Sequence, residues 1–362
     1  MQAAFRKLDS GGMAGPGKPL PIVAENGRSP AGSRTEKIWV DINGARQGMF
    51  IQSRDTAHPV LLFLHGGPGM PEYFLTQRYP TRLEEDFTVV WWDRRGAGLS
   101  YDPRLPRETM TVAQSIADTL TVTDYLRQRF GQEKIYLMGH SGGSFIGIQA
   151  VAQAPARYHA YIGMAQMTWQ IKSEQLAQAY MLEQFKANGD NRMVRRLEKA
   201  SVALTPPLPP SYARVRDEAM HKLGVGTTRD MCSVITGIFL PSWQCRAYTL
   251  GEKINLWRGK LFSHALLWDE MLATDLTQQV TALELPVYFL HGQFDYTCSY
   301  ALAHAYFEQL QAPLKGFYTF AESAHSPVFE EPERVGQVLR EDVVMGTNRL
   351  ADGEPAKTER HD

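Results

Sequence analysis

Tyr136-Leu137-Met138-Gly139-His140-Ser141-Gly142-Gly143 is the stretch from which the rest of the chain is read. The apolar run Ile135 to Met138 climbs into Gly-x-Ser-x-Gly, and a segment of helical character, Ser144 to Ala154, follows at once. That order describes a strand turning sharply into a helix with a serine at the bend. Such a turn strains the serine backbone and holds its hydroxyl clear of neighbours, and it needs small residues on both sides because strand and helix approach closely. Gly139, Gly142 and Gly143 supply them. A Gly-x-Ser-x-Gly string also occurs in plain packing turns, so its weight comes from the strand–turn–helix setting and from partners elsewhere.

Working outward, Val60 to Leu64 is a continuous apolar run ending in His65-Gly66-Gly67-Pro68-Gly69, and Thr88 to Trp92 is another, ending in Asp93-Arg94-Arg95-Gly96-Ala97-Gly98-Leu99-Ser100. Continuous rather than alternating hydrophobicity suits strands covered on both faces. Lys37 to Asp41 and Gln47 to Gln52 flank Asn43-Gly44 and read as a hairpin. Tyr73 to Glu85 reads as helical, Thr111 to Gln114 as a capping box opening a helix to Phe130, and Tyr161 to Met164 as a short strand. Further on come a strand at Val287 to Leu290, a helix at Ala301 to Leu310, a strand at Gly316 to Phe320 and a final helix from Pro332 to Met345. This alternation predicts an α/β fold, a mostly parallel sheet flanked by helices.

Residues 169–283 break the alternation. Met193, Leu197, Ala200 and Leu204 repeat at helical spacing, and Thr205 to Pro210 is a stiff proline-rich break. The segment reads as a helical cap inserted in the core, hanging over the carboxyl ends of the strands where open α/β sheets bind ligands. The expected organisation is a flexible arm over 1–34, a core over 35–168 and 284–346, the cap over 169–283, and a flexible tail over 347–362.

A serine hydroxyl is a poor nucleophile until a base takes its proton, and that base needs an acid to orient it. Two later segments carry those residue types at strand ends: Leu290-His291-Gly292-Gln293-Phe294-Asp295 and Glu322-Ser323-Ala324-His325-Ser326-Pro327. The expected assignment is Ser141 as nucleophile, His325 as general base and then acid, and Asp295 as the group that orients the imidazole, with Asp269 or Asp275 as substitutes for the acid. The backbone N–H groups of Gly67 and Gly142 are expected to form the oxyanion hole. His65, His140 and His291 are read as structural, and the arginines after Asp93 as braces for their loop.

The 362 residues carry a formal net charge of -1, with scattered charges and no basic stripe, so nucleic acid is not an expected partner. The three cysteines, Cys232, Cys245 and Cys298, read as reduced thiols of a cytoplasmic protein, and Cys298 near the acid motif has a reactive role as its alternative reading. No apolar run has the length of a membrane span, and the first residues lack the apolar stretch of a secretory signal. Dinucleotide, nucleoside-triphosphate and zinc-protease motifs are absent, so neither a cofactor nor a metal is implied.

With HGGPG (His65 to Gly69), DRRGAGLS (Asp93 to Ser100), GHSGGS (Gly139 to Ser144) and the Asp295 and His325 loops together, the chain resembles the α/β-hydrolase superfamily, and within it the prolyl aminopeptidase (proline iminopeptidase) group. The resemblance implies release of an N-terminal proline from peptides through an acyl-enzyme. The chain departs from the group in having Gly142 where a tryptophan usually follows the serine. A pocket for the free amine calls for carboxylates, and Glu174, Glu183, Glu330 and Glu331 are the candidate substrate contacts. A carboxylesterase or lactonase acting on small esters is the alternative, and a ligand-sensing protein on the same scaffold is a further one. In each reading the partner is a small molecule or short peptide.

Overall fold

The chain is seen in a computed structural model that describes residues 16–23, 28–199 and 201–353. The sheet is built from β1 (Arg34–Ile42), β2 (Ala45–Ser53), β3 (Val60–Leu64), β4 (Thr88–Trp92), β5 (Ile135–His140), β6 (Tyr158–Met164), β7 (Val287–Gly292) and β8 (Lys315–Phe320). Their order across the sheet is β1-β2-β4-β3-β5-β6-β7-β8. Asn43 and Gly44, at φ 46° and 76°, close the antiparallel β1–β2 hairpin, the backbone that a two-residue turn between twisted strands requires. β2 is also antiparallel to β4, and all remaining pairings are parallel.

Burial on both faces accounts for the continuous apolar runs. Leu62 and Leu64 share a core with Val122 and Leu126 of α1 (Val112–Phe130) and with Phe145 of α2 (Gly142–Gln153). Leu61 and Phe63 point the other way, onto Phe74, Phe87 and Val335. Each fully buried side chain of this kind stabilises the fold by about 1.5–3 kcal/mol. Thr111 caps α1 by accepting from Gln114 N, but the Gln114 side chain turns to Asp118, so only half of the capping box forms.

Between β6 and β7 lie α3 (Gln170–Ala187), α4 (Asn191–Leu197), α5 (Pro210–Lys222), α6 (Leu240–Gln244), α7 (Leu250–Ala273) and α8 (Leu276–Gln279). They carry a core of their own that includes Ile171, Phe185, Leu197, Tyr212 and Leu272. After β7 come α9 (Tyr300–Gln309), α10 (Pro327–Glu330) and α11 (Pro332–Val338). No helix among the described residues is long and apolar enough to cross a membrane.

Several local expectations are corrected. Tyr73 to Glu85 forms two 3-10 turns, Tyr73–Gln77 and Leu83–Glu85, because Pro80 lies between them and cannot donate within a helix. The helix through Met193 stops at Leu197; Leu204 sits 42% exposed in irregular chain ahead of Pro206, and Ala200 lies outside the described residues. The last helix widens into a π turn, Leu339–Val343, which carries Asp342 inward. There Asp342 accepts from Tyr318 OH (2.8 Å), Thr347 Oγ1 (2.7 Å), Arg349 N (2.8 Å) and Leu350 N (2.8 Å), so residues 347–353 are held against the body. The tail from 354 onward lies outside the described residues. Part of the expected arm is likewise attached: Gly17 N donates to Arg246 O, and Lys37 Nζ donates to Gly17 O. The arm's residues 1–15 and 24–27 are not among those described.

Candidate active site

The carboxyl ends of β3, β5, β7 and β8 open on one edge of the sheet, and chain order reverses between neighbours β3 and β5, which makes a crevice there. Ser141 stands in that crevice at φ 54°, ψ −122°, a backbone that L-residues rarely adopt. Both ends of its peptide unit are clamped. Its N–H donates to Met164 O (3.0 Å), and its carbonyl accepts from Ser144 N (2.8 Å), Phe145 N (3.2 Å) and Ser144 Oγ (2.6 Å). Side chains at the next two positions would destroy the turn: a methyl on Gly142 would collide with the Gly67 carbonyl, and one on Gly143 with the Leu64 carbonyl.

His325 and Asp295 meet at the same edge, with His325 Nδ1 2.8 Å from Asp295 Oδ2. The other carboxylate oxygen accepts from Thr297 N (2.8 Å) and Cys298 N (2.9 Å), while His291 Nε2 lies 3.3 Å from Oδ2. Burial alone would raise the Asp295 pKa, but His325 and His291 outweigh it and hold the carboxyl well below the usual range. Burial lowers the His325 pKa, and Asp295 offsets only part of that. Asp275 instead caps α8, and Asp269 lies exposed on α7; neither bonds to His325. Ser141 Oγ makes no hydrogen bond to His325; its recorded contact is Cys298 Sγ at 3.9 Å. Catalytic hydrogen bonds in free enzymes are commonly open and close around substrate. Burial raises the Cys298 thiol pKa strongly, which opposes the reactive-thiolate reading.

Glu72, which carried no sequence signal, links three loops. Its carboxylate accepts from Gly66 N (2.7 Å) and faces His140 Nδ1 (2.9 Å), and His140 Nε2 donates to the His325 carbonyl (2.8 Å). Burial works to lower the His140 pKa, but Glu72 and the His325 carbonyl carry it above its ordinary value. His65 is equally engaged: Arg94 N donates to its Nε2 (3.2 Å) and its Nδ1 to Gly66 O (2.8 Å). Arg94 also donates to His65 O (2.9 Å), and Arg95 grips Asp118 through two nitrogens (2.7 and 3.0 Å). Gly67, at φ 88°, faces Gly142, and neither N–H donates to a protein acceptor among the described residues.

The four candidate glutamates lie elsewhere than expected. Glu174 is fully buried and bound by Arg216 Nε (2.6 Å) and Nη2 (2.7 Å), with Tyr212 OH (3.0 Å) and Gln170 Nε2 (3.0 Å) completing its shell. Glu183 is exposed on α3 and lines no cavity around Ser141. Glu330 accepts from Ala324 N (3.1 Å) and Ser326 N (3.1 Å), on either side of His325, and from Arg229 N (2.6 Å). Burial pushes its carboxyl up to about 7 against those bonds. Glu331 takes Ser323 Oγ (2.6 Å) and Glu322 N (3.1 Å). Glu330 and Glu331 therefore brace the histidine loop. Charge pattern alone could not separate loop-bracing from pocket-lining glutamates.

A cavity of about 400 Å³ opens above Ser141, Gly67 and His325 and is roofed by the helical insertion. Arg216, Asp217, Lys260 and Asp269 form its charged wall, with His264 beside them, and Met167, Leu208 and Trp268 its apolar one. Among the described residues no group of three or more His, Cys, Asp or Glu is arranged to hold a metal ion.

Comparison with known proteins agrees with this architecture. Residues 59–332 match the family model described as alpha/beta hydrolase fold. The chain is 30% identical over 315 residues to a probable aminopeptidase, YbaC, of Bacillus subtilis, covering 83% of this chain and 93% of that protein. It is 31% identical over 130 residues to the proline iminopeptidase of Thermoplasma volcanium, covering 36% of this chain and 41% of that one. A proline iminopeptidase-related protein from Thermus thermophilus shares the fold at TM-score 0.58 and 21% identity, over 86% of this chain and 98% of its own. From the strand order, the serine turn and these matches together, the chain belongs to the α/β-hydrolase fold family, in its prolyl aminopeptidase-like group, and is a hydrolase.

Proposed function

We propose that the protein is a serine hydrolase that cleaves its substrate through an acyl-enzyme on Ser141, and that the substrate is a short peptide or amide with a free amino terminus, N-terminal proline first among them. The observation that carries this is the meeting of Ser141, the Asp295–His325 pair and Gly67 at the floor of one cavity. His325 takes the Ser141 proton as Oγ adds to the carbonyl carbon, and the Gly67 and Gly142 N–H groups hold the oxyanion. His325 then passes that proton to the leaving amine, the acyl carbon stays on Oγ, and water repeats the sequence to free the acid. Base function needs neutral His325, whose pKa burial lowers. kcat/KM is therefore expected to rise with pH through an ionisation below 6.5, measured with a substrate that does not itself titrate there. A profile that stays flat from pH 7 down to the acid limit of the folded protein would remove His325 from the role.

The free amine is supported by the charge balance of the cavity wall. Glu174 binds Arg216 through Nε and Nη2 and Asp217 binds its Nη1 at 2.9 Å, so two carboxylates answer one guanidinium; with Asp269 against Lys260 the group is net negative, which suits an ammonium. Burial pushes the Asp217 pKa up, but Arg216 and Lys260 outweigh it and keep the group ionised. In a side-by-side assay of a proline arylamide and a short aryl ester, Asp217→Asn and Asp269→Asn are expected to raise KM for the arylamide about tenfold, the size of one charged hydrogen bond, with little effect on the ester. Ester cleavage alone, unmoved by either variant, would replace this reading with the esterase one.

A further inference from the structure

A second, smaller chamber of about 120 Å³ shares Ser141, Gly67 and His325 with the large cavity but extends away from them in another direction. Its walls are apolar, with Met70, Phe74, Leu75 and Phe329 from the core and Ile238 from the insertion. Glu72 and His140 border it, yet each is satisfied by the other at 2.9 Å, so the chamber offers no free charge.

We infer that this chamber is the leaving-group subsite, and that it takes a compact, uncharged, mainly apolar group. Resting on the serine-hydrolase reading, the inference places the two halves of the substrate on opposite sides of Ser141. The direction follows from the walls. The group that leaves must receive its proton from His325, and the chamber is walled by the chain that continues from that histidine, Ser326 and Phe329. The large cavity is walled instead by Met167, Thr297, Cys298 and the charged insertion residues, which suits the acyl half and its amine. Size agrees: a cavity of about 150 Å³ takes benzene, so a chamber of about 120 Å³ holds a short alkyl chain or a small ring and excludes a bulky group. For a peptide, the residue after the cleaved bond would be small or aliphatic and uncharged. For an ester, it would be a short-chain or single-ring alcohol.

The test uses the full chain and two substrate series, one with a fixed acyl group and methyl, butyl and decyl leaving alcohols, the other with a fixed leaving alcohol and lengthening acyl groups. The wild type is expected to prefer the butyl over the methyl ester by tenfold or more in kcat/KM and to lose that gain with decyl. Ile238→Trp, which fills the chamber from the insertion side, should cut the butyl-to-methyl ratio about tenfold while leaving the acyl-series ratios in place. If Ile238→Trp changes the acyl-series ratios instead, the chamber holds the acyl half and the assignment is overturned. If neither ratio moves, it is not a substrate site. Failure of the serine-hydrolase reading itself is separable, because Ser141→Ala would then keep its turnover on every ester.

Discussion

Ser141→Ala is expected to lower kcat by about a millionfold while the protein stays folded. Removing the nucleophile takes away the only atom that can carry the acyl group, and in serine enzymes this costs about as much as removing the whole catalytic set. Little structural loss accompanies it. Among the described residues the Ser141 hydroxyl has no hydrogen-bond partner nearer than the Cys298 sulfur at 3.9 Å, whereas the bonds that shape the turn run through its backbone and survive the substitution. Alanine at φ 54° inherits strain already present with serine. The measurement is steady-state hydrolysis of the arylamide and the ester, together with the burst of released aryl product in the wild type and a thermal melt of both proteins. A lost burst with an unchanged melt is the expected outcome. Turnover within tenfold of wild type would take Ser141 out of the chemistry and the acyl-enzyme with it.

Asp295→Asn is expected to cost about ten-thousandfold in kcat, with a much smaller change in KM. The substitution conserves shape and keeps an oxygen that can accept from Thr297 N and Cys298 N. Its effect falls on His325. A carboxylate oxygen 2.8 Å from Nδ1 requires the ring proton to sit there, which leaves Nε2 free to accept the serine proton. An amide nitrogen in the same place reverses that preference and puts the proton on the wrong side of the ring. Losing the carboxylate also removes the charge that partly offsets burial at His325, so the imidazolium formed during attack loses its stabilisation. Rates on both substrates and the chemical shift of the His325 Nδ1 proton check this. A loss of less than tenfold would hand the orienting role to another acid.

The serine turn, the two glycine loops and the parallel core were legible in the chain because each rests on short-range physics. Val60–Leu64 and Thr88–Trp92 form strands with the bounds their apolar runs imply, since a strand covered on both faces has no other composition open to it. Gly139 is required by the Gly143 and Ser144 backbone atoms that approach it within the same motif, whereas Gly142 and Gly143 are required by the Gly67 and Leu64 carbonyls of the neighbouring strand and its loop. That Ser141, Asp295 and His325 would lie on one edge was likewise legible, because strand ends of an α/β sheet place their loops there.

The tertiary structure alone decided which carboxylates face the cavity. Glu174, Glu183, Glu330 and Glu331 satisfy the same local pattern as any glutamate on a helix or helix edge, and what separates them is the company they find across the fold. Glu174 meets Arg216 from a helix 42 residues on, Glu330 meets backbone N–H groups beside His325, and Asp217 and Asp269, on separate helices, come to one wall. Glu72 becomes a hub only because His140, 68 residues away, is brought to 2.9 Å. By itself, then, the sequence determined the fold and the candidate residues at its strand ends, whose constraints are local backbone geometry and burial. Three-dimensional packing decided the charge, shape and division of the space around them, because those depend on pairings between distant segments that no local pattern encodes.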